Sequence, residues 1–150
     1  MRCWLTALVP LAFACAADPF VGSWKPDVEK WKLSSGSPAL RAREIITIDA
    51  AGRNQYRTSY NAGDGTEREI DVWHLDGKEH TQVLANGTSI TAKTERVSKD
   101  RIKRTLKGTK GTAVTEWSIS ADGKTLTLTR KGTGSTSGRA LDETLIYTKQ

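Results

Sequence analysis

Three observations predict an all-β chain folded as an antiparallel up-and-down β-barrel of about 8–10 strands. Beyond residue 16 no stretch keeps a helical apolar period, whereas period-two alternation recurs between turn signals. Leu, Ile, Val and Phe make up less than a fifth of residues 17–150, a composition that by itself borders on disorder. Those residues are concentrated in the alternating runs, however, and threonine, a strand former, fills many intervening positions. A modest apolar content of this kind suits a small barrel whose interior is incompletely filled. Third, two hairpins can be registered from the sequence alone, and each places its apolar residues on one face.

Arg2 is followed by an apolar run from Trp4 to Ala14, and then by Ala14-Cys15-Ala16, which fits an Ala-x-Ala cleavage site. This is the layout of a secretory signal peptide, so residues 1–16 are expected to be a leader and 17–150 the mature domain, secreted or periplasmic. The run is too short for a transmembrane helix, which needs roughly 20 apolar residues. Cys3 and Cys15 both fall in this leader, leaving the mature chain without a disulfide in a compartment that would permit one. A lipid anchor on Cys15 is the disfavoured alternative. It would need a Leu-x-x-Cys pattern, but Leu11 lies one position too far and bulky Phe13 precedes Ala14.

Strands are predicted at Phe20 to Lys25, Arg43 to Ala50, Gln55 to Asn61, Thr66 to Leu75, Ser89 to Val97, Arg101 to Lys107, Thr112 to Ser120, Lys124 to Lys131 and Glu143 to Thr148. Pro26 to Ala42, with Pro38 and "SSGS", reads as an irregular crossing holding a short helical turn around Val28 to Leu33. Neither a second domain nor an internal repeat is indicated.

In "WSISADGKTLTL", Asp122-Gly123 is the preferred chemistry of a two-residue type I′ turn. That register sets Ile119 against Leu126 and Trp117 against Leu128, with Ser118 and Thr127 on the other face. In "LKGTKGTAV", a tip at Thr109-Lys110 sets Leu106 against Ala113 and Arg104 against Thr115. Thr115 shares a face with Trp117, so Arg104 is predicted to point inward. There it either meets a polar or anionic ligand group or pairs with an acid, because a buried charge needs a partner. It also lies near Trp117 for a cation–π contact. Arg101, Lys103, Thr105 and Lys107 are expected to face solvent.

The inward lists outline a candidate pocket: Tyr56 and Tyr60 on one strand, Ile70, Val72 and His74 on the next, and Arg104, Thr115, Trp117 and Leu128 across the barrel. An apolar wall bearing a few polar groups is how small-molecule sites are built.

Other chemistry is thinly supported. The two histidines, His74 and His80, sit near Asp76 and Glu79, but a two-residue Asp76-Gly77 turn would put their imidazoles on opposite faces, so no metal site is expected. No serine sits in a Gly-x-Ser-x-Gly elbow and no base is evident, so no catalytic residues and no enzyme activity are expected. "KGTGSTSGR", Lys131 to Arg139, lacks a phosphate-loop Gly-Lys-Ser/Thr and reads as a flexible connection. Nor is a cofactor indicated. The chain has 23 Lys and Arg; without Arg2, 22 oppose 17 acids, giving +5. The basic run Arg96 to Lys110 has no interleaved aromatics for stacking, which argues for a solvated outer face and against nucleic-acid binding. Asn86-Gly87-Thr88 is a glycosylation sequon if the source is eukaryotic.

"DPFVGSWK" at the mature N-terminus, the succession of hairpins and the final "TLIYTK" resemble the calycin group, which includes lipocalins and fatty-acid-binding proteins, and in particular small secreted bacterial lipocalin-like proteins. The resemblance implies that Gly22 begins the first strand and that Trp24 closes one end of the barrel. It further implies reversible binding of a small hydrophobic or amphipathic molecule inside. Fatty-acid-binding proteins grip a lipid carboxylate with an Arg-x-Tyr; here Tyr147 matches the Tyr, but Leu145 stands in the Arg position, and a two-helix lid has no clear counterpart. The alternative is a filled-core barrel acting as an interaction or inhibitor module through its loops and basic outer face.

Overall fold

The computed structural model describes residues 17–34, 44–62, 64–84 and 86–150. The expected leader and most of the crossing lie outside the described residues. The described residues contain ten strands: β1 (Gly22–Pro26), β2 (Ile45–Gly52), β3 (Gln55–Asn61), β4 (Glu67–His74), β5 (Asp76–Val83), β6 (Ser89–Ser98), β7 (Arg101–Lys107), β8 (Thr112–Ile119), β9 (Thr125–Thr133) and β10 (Ala140–Lys149). They form one antiparallel sheet in the order β4-β3-β2-β1-β10-β9-β8-β7-β6-β5, curled into a nearly closed barrel. Consecutive strands β4 and β5 are its two edges, so the barrel has a seam. A short 3-10 turn at Val28–Lys30 falls in the expected helical stretch.

Both hairpin registers are observed. Leu106 pairs with Ala113 and Arg104 with Thr115, while Trp117 pairs with Leu128 and Ile119 with Leu126. The second tip differs from the expected type I′ turn, which requires positive φ at both central residues. Only Gly123 has it, at 73°. The Gly123 N–H donates to the Ser120 carbonyl at 2.9 Å, closing a turn around Ala121 and Asp122. The Asp122 carboxylate accepts from the Ser120 hydroxyl and the Lys124 N–H, and these bonds hold it below its ordinary pKa.

One strand escaped the sequence pattern. The segment of β5, "DGKEHTQV", carries a single large aliphatic residue, Val83, and Val83 faces solvent. An edge strand with few buried side chains shows no alternation to read. The expected flexible connection at Lys131 to Arg139 is instead hydrogen-bonded, with Gly134 donating to Arg139 and Gly138 donating to Gly134. It packs on the β7–β8 turn, where the Lys110 N–H donates to the Ser135 carbonyl. Gly108 permits this approach: a Cβ there would lie 2.3 Å from that carbonyl oxygen.

The interior divides into two halves. At one end Phe20, Trp24, Ile48, Tyr56, Ile102, Ile119 and Leu126 pack as a plug, part of a core cluster that continues through Trp73, Trp117 and Leu128. Trp24 is fully buried and its indole N–H donates to the Phe20 carbonyl at 3.0 Å. Gly22 lies at φ 143°, and a Cβ there would come within 2.9 Å of Lys149 Cε. The Lys149 chain uses that space to set its ammonium 5.2 Å from the centre of the Trp24 ring.

Candidate functional site

The other half of the barrel holds a cavity of about 280 Å³. Its apolar wall includes Ile46, Ile90, Leu106, Leu128 and Leu145, and its aromatic wall Tyr60, Trp73, Trp117 and Tyr147. Asp71, Gln82, Arg104, Thr115 and Arg130 add polarity, and Ser135 and Thr136 of the packed β9–β10 loop border the same space. The interior is therefore not filled throughout.

Arg104 organises the polar side. Alternation along β7 turns it inward with Ile102 and Leu106, and its side chain is 7% exposed. One terminal nitrogen meets Asp71 Oδ2 at 2.7 Å, and the other donates to Gln82 Oε1 at 2.8 Å. Asp71 is on β4 and Gln82 on β5, so one guanidinium spans the seam. Asp71 also accepts from the Trp73 indole N–H at 3.0 Å. The Trp73 ring lies between two neighbours, the guanidinium 4.7 Å from its centroid and the Trp117 ring 4.6 Å away, edge-on. In a second ion pair, the partly exposed Arg130 on β9 lies 3.4 Å from the buried Glu143 on β10.

Five of the sequence-derived candidates, Tyr60, Arg104, Thr115, Trp117 and Leu128, line this cavity together. Three do not. Tyr56 belongs to the plug, where its hydroxyl donates to Asp18 and accepts from Arg96. Val72 points outward and is 42% exposed, as does Ile70. The β3–β4 register pairs Tyr56 with Trp73 and Thr58 with Asp71, which turns the opposite face of β4 inward from the one its aliphatic residues suggested. His74 lies at the end of β4, with Gln55 Nε2 3.2 Å from its Nδ1. Its ring stacks on His80 at 4.3 Å, correcting the expectation that the imidazoles oppose one another across the sheet. Asp76 pairs with His80 at 2.9 Å. Both histidines, with Val72, border a second hollow of about 340 Å³ along the seam, which shares Asp71, Trp73, Gln82 and Arg104 with the first. Among the described residues no group of three or more His, Cys, Asp or Glu could hold a metal ion.

Asp71, Trp73 and Gln82, which surround the Arg104 guanidinium, are among the site residues that the sequence pattern missed. The usable signal was Arg104 itself: an inward cation requires a carboxylate on a facing strand. The expected cation–π partner is likewise Trp73 rather than Trp117.

Tyr56 allows a test of the plug. Burial first, and then the hydrogen bond to Asp18, raise its phenol pKa. The native state keeps this proton above about pH 10, where an unfolded tyrosine ionises. The associated stabilisation is complete below that pH and declines as pH rises beyond it. Urea midpoints measured from pH 9 to 12 should therefore fall less steeply in Tyr56→Phe than in the unaltered chain; equal slopes would contradict this assignment.

Compared by sequence, the chain matches no family model and no curated protein. Compared by structure, the barrel is similar in fold to solved fatty-acid-, lipid- and bile-acid-binding proteins. The Schistosoma mansoni fatty acid binding protein in complex with arachidonic acid superposes with a TM-score of 0.59 at 15% identity, covering 88% of this chain and 96% of that one. Lipid binding protein 8 of Caenorhabditis elegans gives 0.62 at 11% identity, covering 90% and 98%. The zebrafish ileal bile acid-binding protein with cholic acid gives 0.56 at 14%, covering 88% and 98%. At such identities the likeness establishes the fold.

Proposed function

We propose that this protein is a non-enzymatic carrier that reversibly binds a small hydrophobic or amphipathic molecule inside the barrel, and that it works outside the cytoplasm after removal of residues 1–16. The cavity carries this reading: an apolar and aromatic wall with a few polar groups, in one half of a barrel whose other half is plugged. The structural relatives support it, being named for fatty acids, lipids and a bile acid. The relatives' expected Arg-x-Tyr grip has a different counterpart here, because Leu145 and Tyr147 line the cavity while the cations come from Arg104 and Arg130.

Native mass spectrometry of the chain incubated with ten-carbon amphiphiles should show one-to-one adducts. Leu106→Trp, which places an indole at the cavity wall, should abolish them while leaving the thermal midpoint nearly unchanged. Absence of any adduct with the unaltered chain would overturn the carrier reading.

A further inference from the structure

We infer that the cavity selects a neutral ligand bearing a hydrogen-bond acceptor oxygen, such as a ketone, aldehyde or ester, over a fatty-acid anion; this rests on the carrier reading above. Two buried donors on residues that line the cavity, Arg104 Nε and Trp117 Nε1, have no hydrogen-bond partner among the described residues. Buried N–H groups are rarely left in that condition, because desolvation without a replacement bond is unfavourable. Both residues lie against the same ring, Trp73. Both are donors, so what completes them is an acceptor.

The charge balance then separates neutral from anionic acceptors. The Arg104 guanidinium already meets Asp71, and Arg130 already meets Glu143. Glu44 borders the cavity as a further acid. An incoming carboxylate would have to enter a space whose two arginines are each matched by a resident carboxylate, and it would repel those carboxylates where the surroundings screen little. A neutral oxygen takes up the free N–H groups without disturbing either pair. Ile46, Ile90, Leu128 and Leu145 offer the rest of the molecule an apolar wall. The cavity has room for about nine waters at roughly 30 Å³ each, hence for a chain of about ten non-hydrogen atoms.

The test compares 2-decanone, decanoate and decane at pH 7, by nitrogen–proton correlation spectra of the tryptophan indoles in the unaltered chain and in Trp117→Phe, which also assigns the Trp117 resonance. The ketone should bind at least tenfold more tightly than decanoate and move the Trp117 indole proton downfield. Trp117→Phe should cut the preference for ketone over decane about tenfold. Tighter binding of decanoate would overturn this inference while leaving the carrier reading intact. So would ketone binding that leaves the Trp117 indole unmoved. If none of the three bound, both readings would fall together.

Discussion

Arg104→Met should lower folding stability by about 3–5 kcal/mol, the usual consequence of removing one member of a buried ion pair. The figure needs no large reduction for screening, since the Arg104 and Asp71 side chains are 7% and 12% exposed. Most of the loss would come from Asp71, left with the Trp73 indole as its remaining side-chain donor, and from Gln82, which loses its bond to the guanidinium. Adding Asp71→Asn to Arg104→Met should recover part of the loss, because the orphaned carboxylate is then gone. Urea denaturation of the two single variants and the double variant measures this coupling. Additive losses would show that the pair is not coupled.

Trp24→Ala is expected to cost a similar amount, about 3–5 kcal/mol, through the cavity left at a fully buried site and the loss of the bond to Phe20. Trp24→Phe retains much of the volume and should cost less, about 1–3 kcal/mol, chiefly from the buried Phe20 carbonyl left without its donor. Ligand affinity should be unchanged in Trp24→Phe, because Trp24 is in the plug and does not line the cavity. Thermal unfolding and ten-carbon ligand titration, run together, check both halves. A Trp24→Phe variant that kept its stability but lost binding would contradict the division of the barrel into plug and cavity.

Much of the architecture was readable where side chains alternate strongly. The hairpins around 109–110 and 122–123 were registered correctly because their apolar residues tolerate no slip, and that alone turned Arg104, Thr115, Trp117 and Leu128 inward. The failures lie at β4 and β5. On β4 the aliphatic residues Ile70 and Val72 face out, while Asp71 and Trp73 face in. Reading apolar as inward therefore inverted this strand. The observed face buries Trp73 and brings Asp71 to Arg104, a long-range pairing that a local window cannot see. On β5 a polar edge strand gave nothing to count. Trp24 lies fully buried on the first strand, and Lys149 occupies the room that Gly22 leaves, a contact no local pattern encodes.

The seam has a mechanical meaning. Separating any two paired neighbours in this sheet breaks a ladder of backbone hydrogen bonds, as between β3 and β4 or β9 and β10. Separating β4 from β5 breaks no such ladder, since they stand at opposite ends of the strand order. What resists their parting includes the short link at Leu75, the stacked imidazoles beside it, and one guanidinium reaching both sides. The barrel thus behaves as a spring clip with a latch: its line of least resistance runs beside the cavity, and the latch is an arginine in the cavity wall.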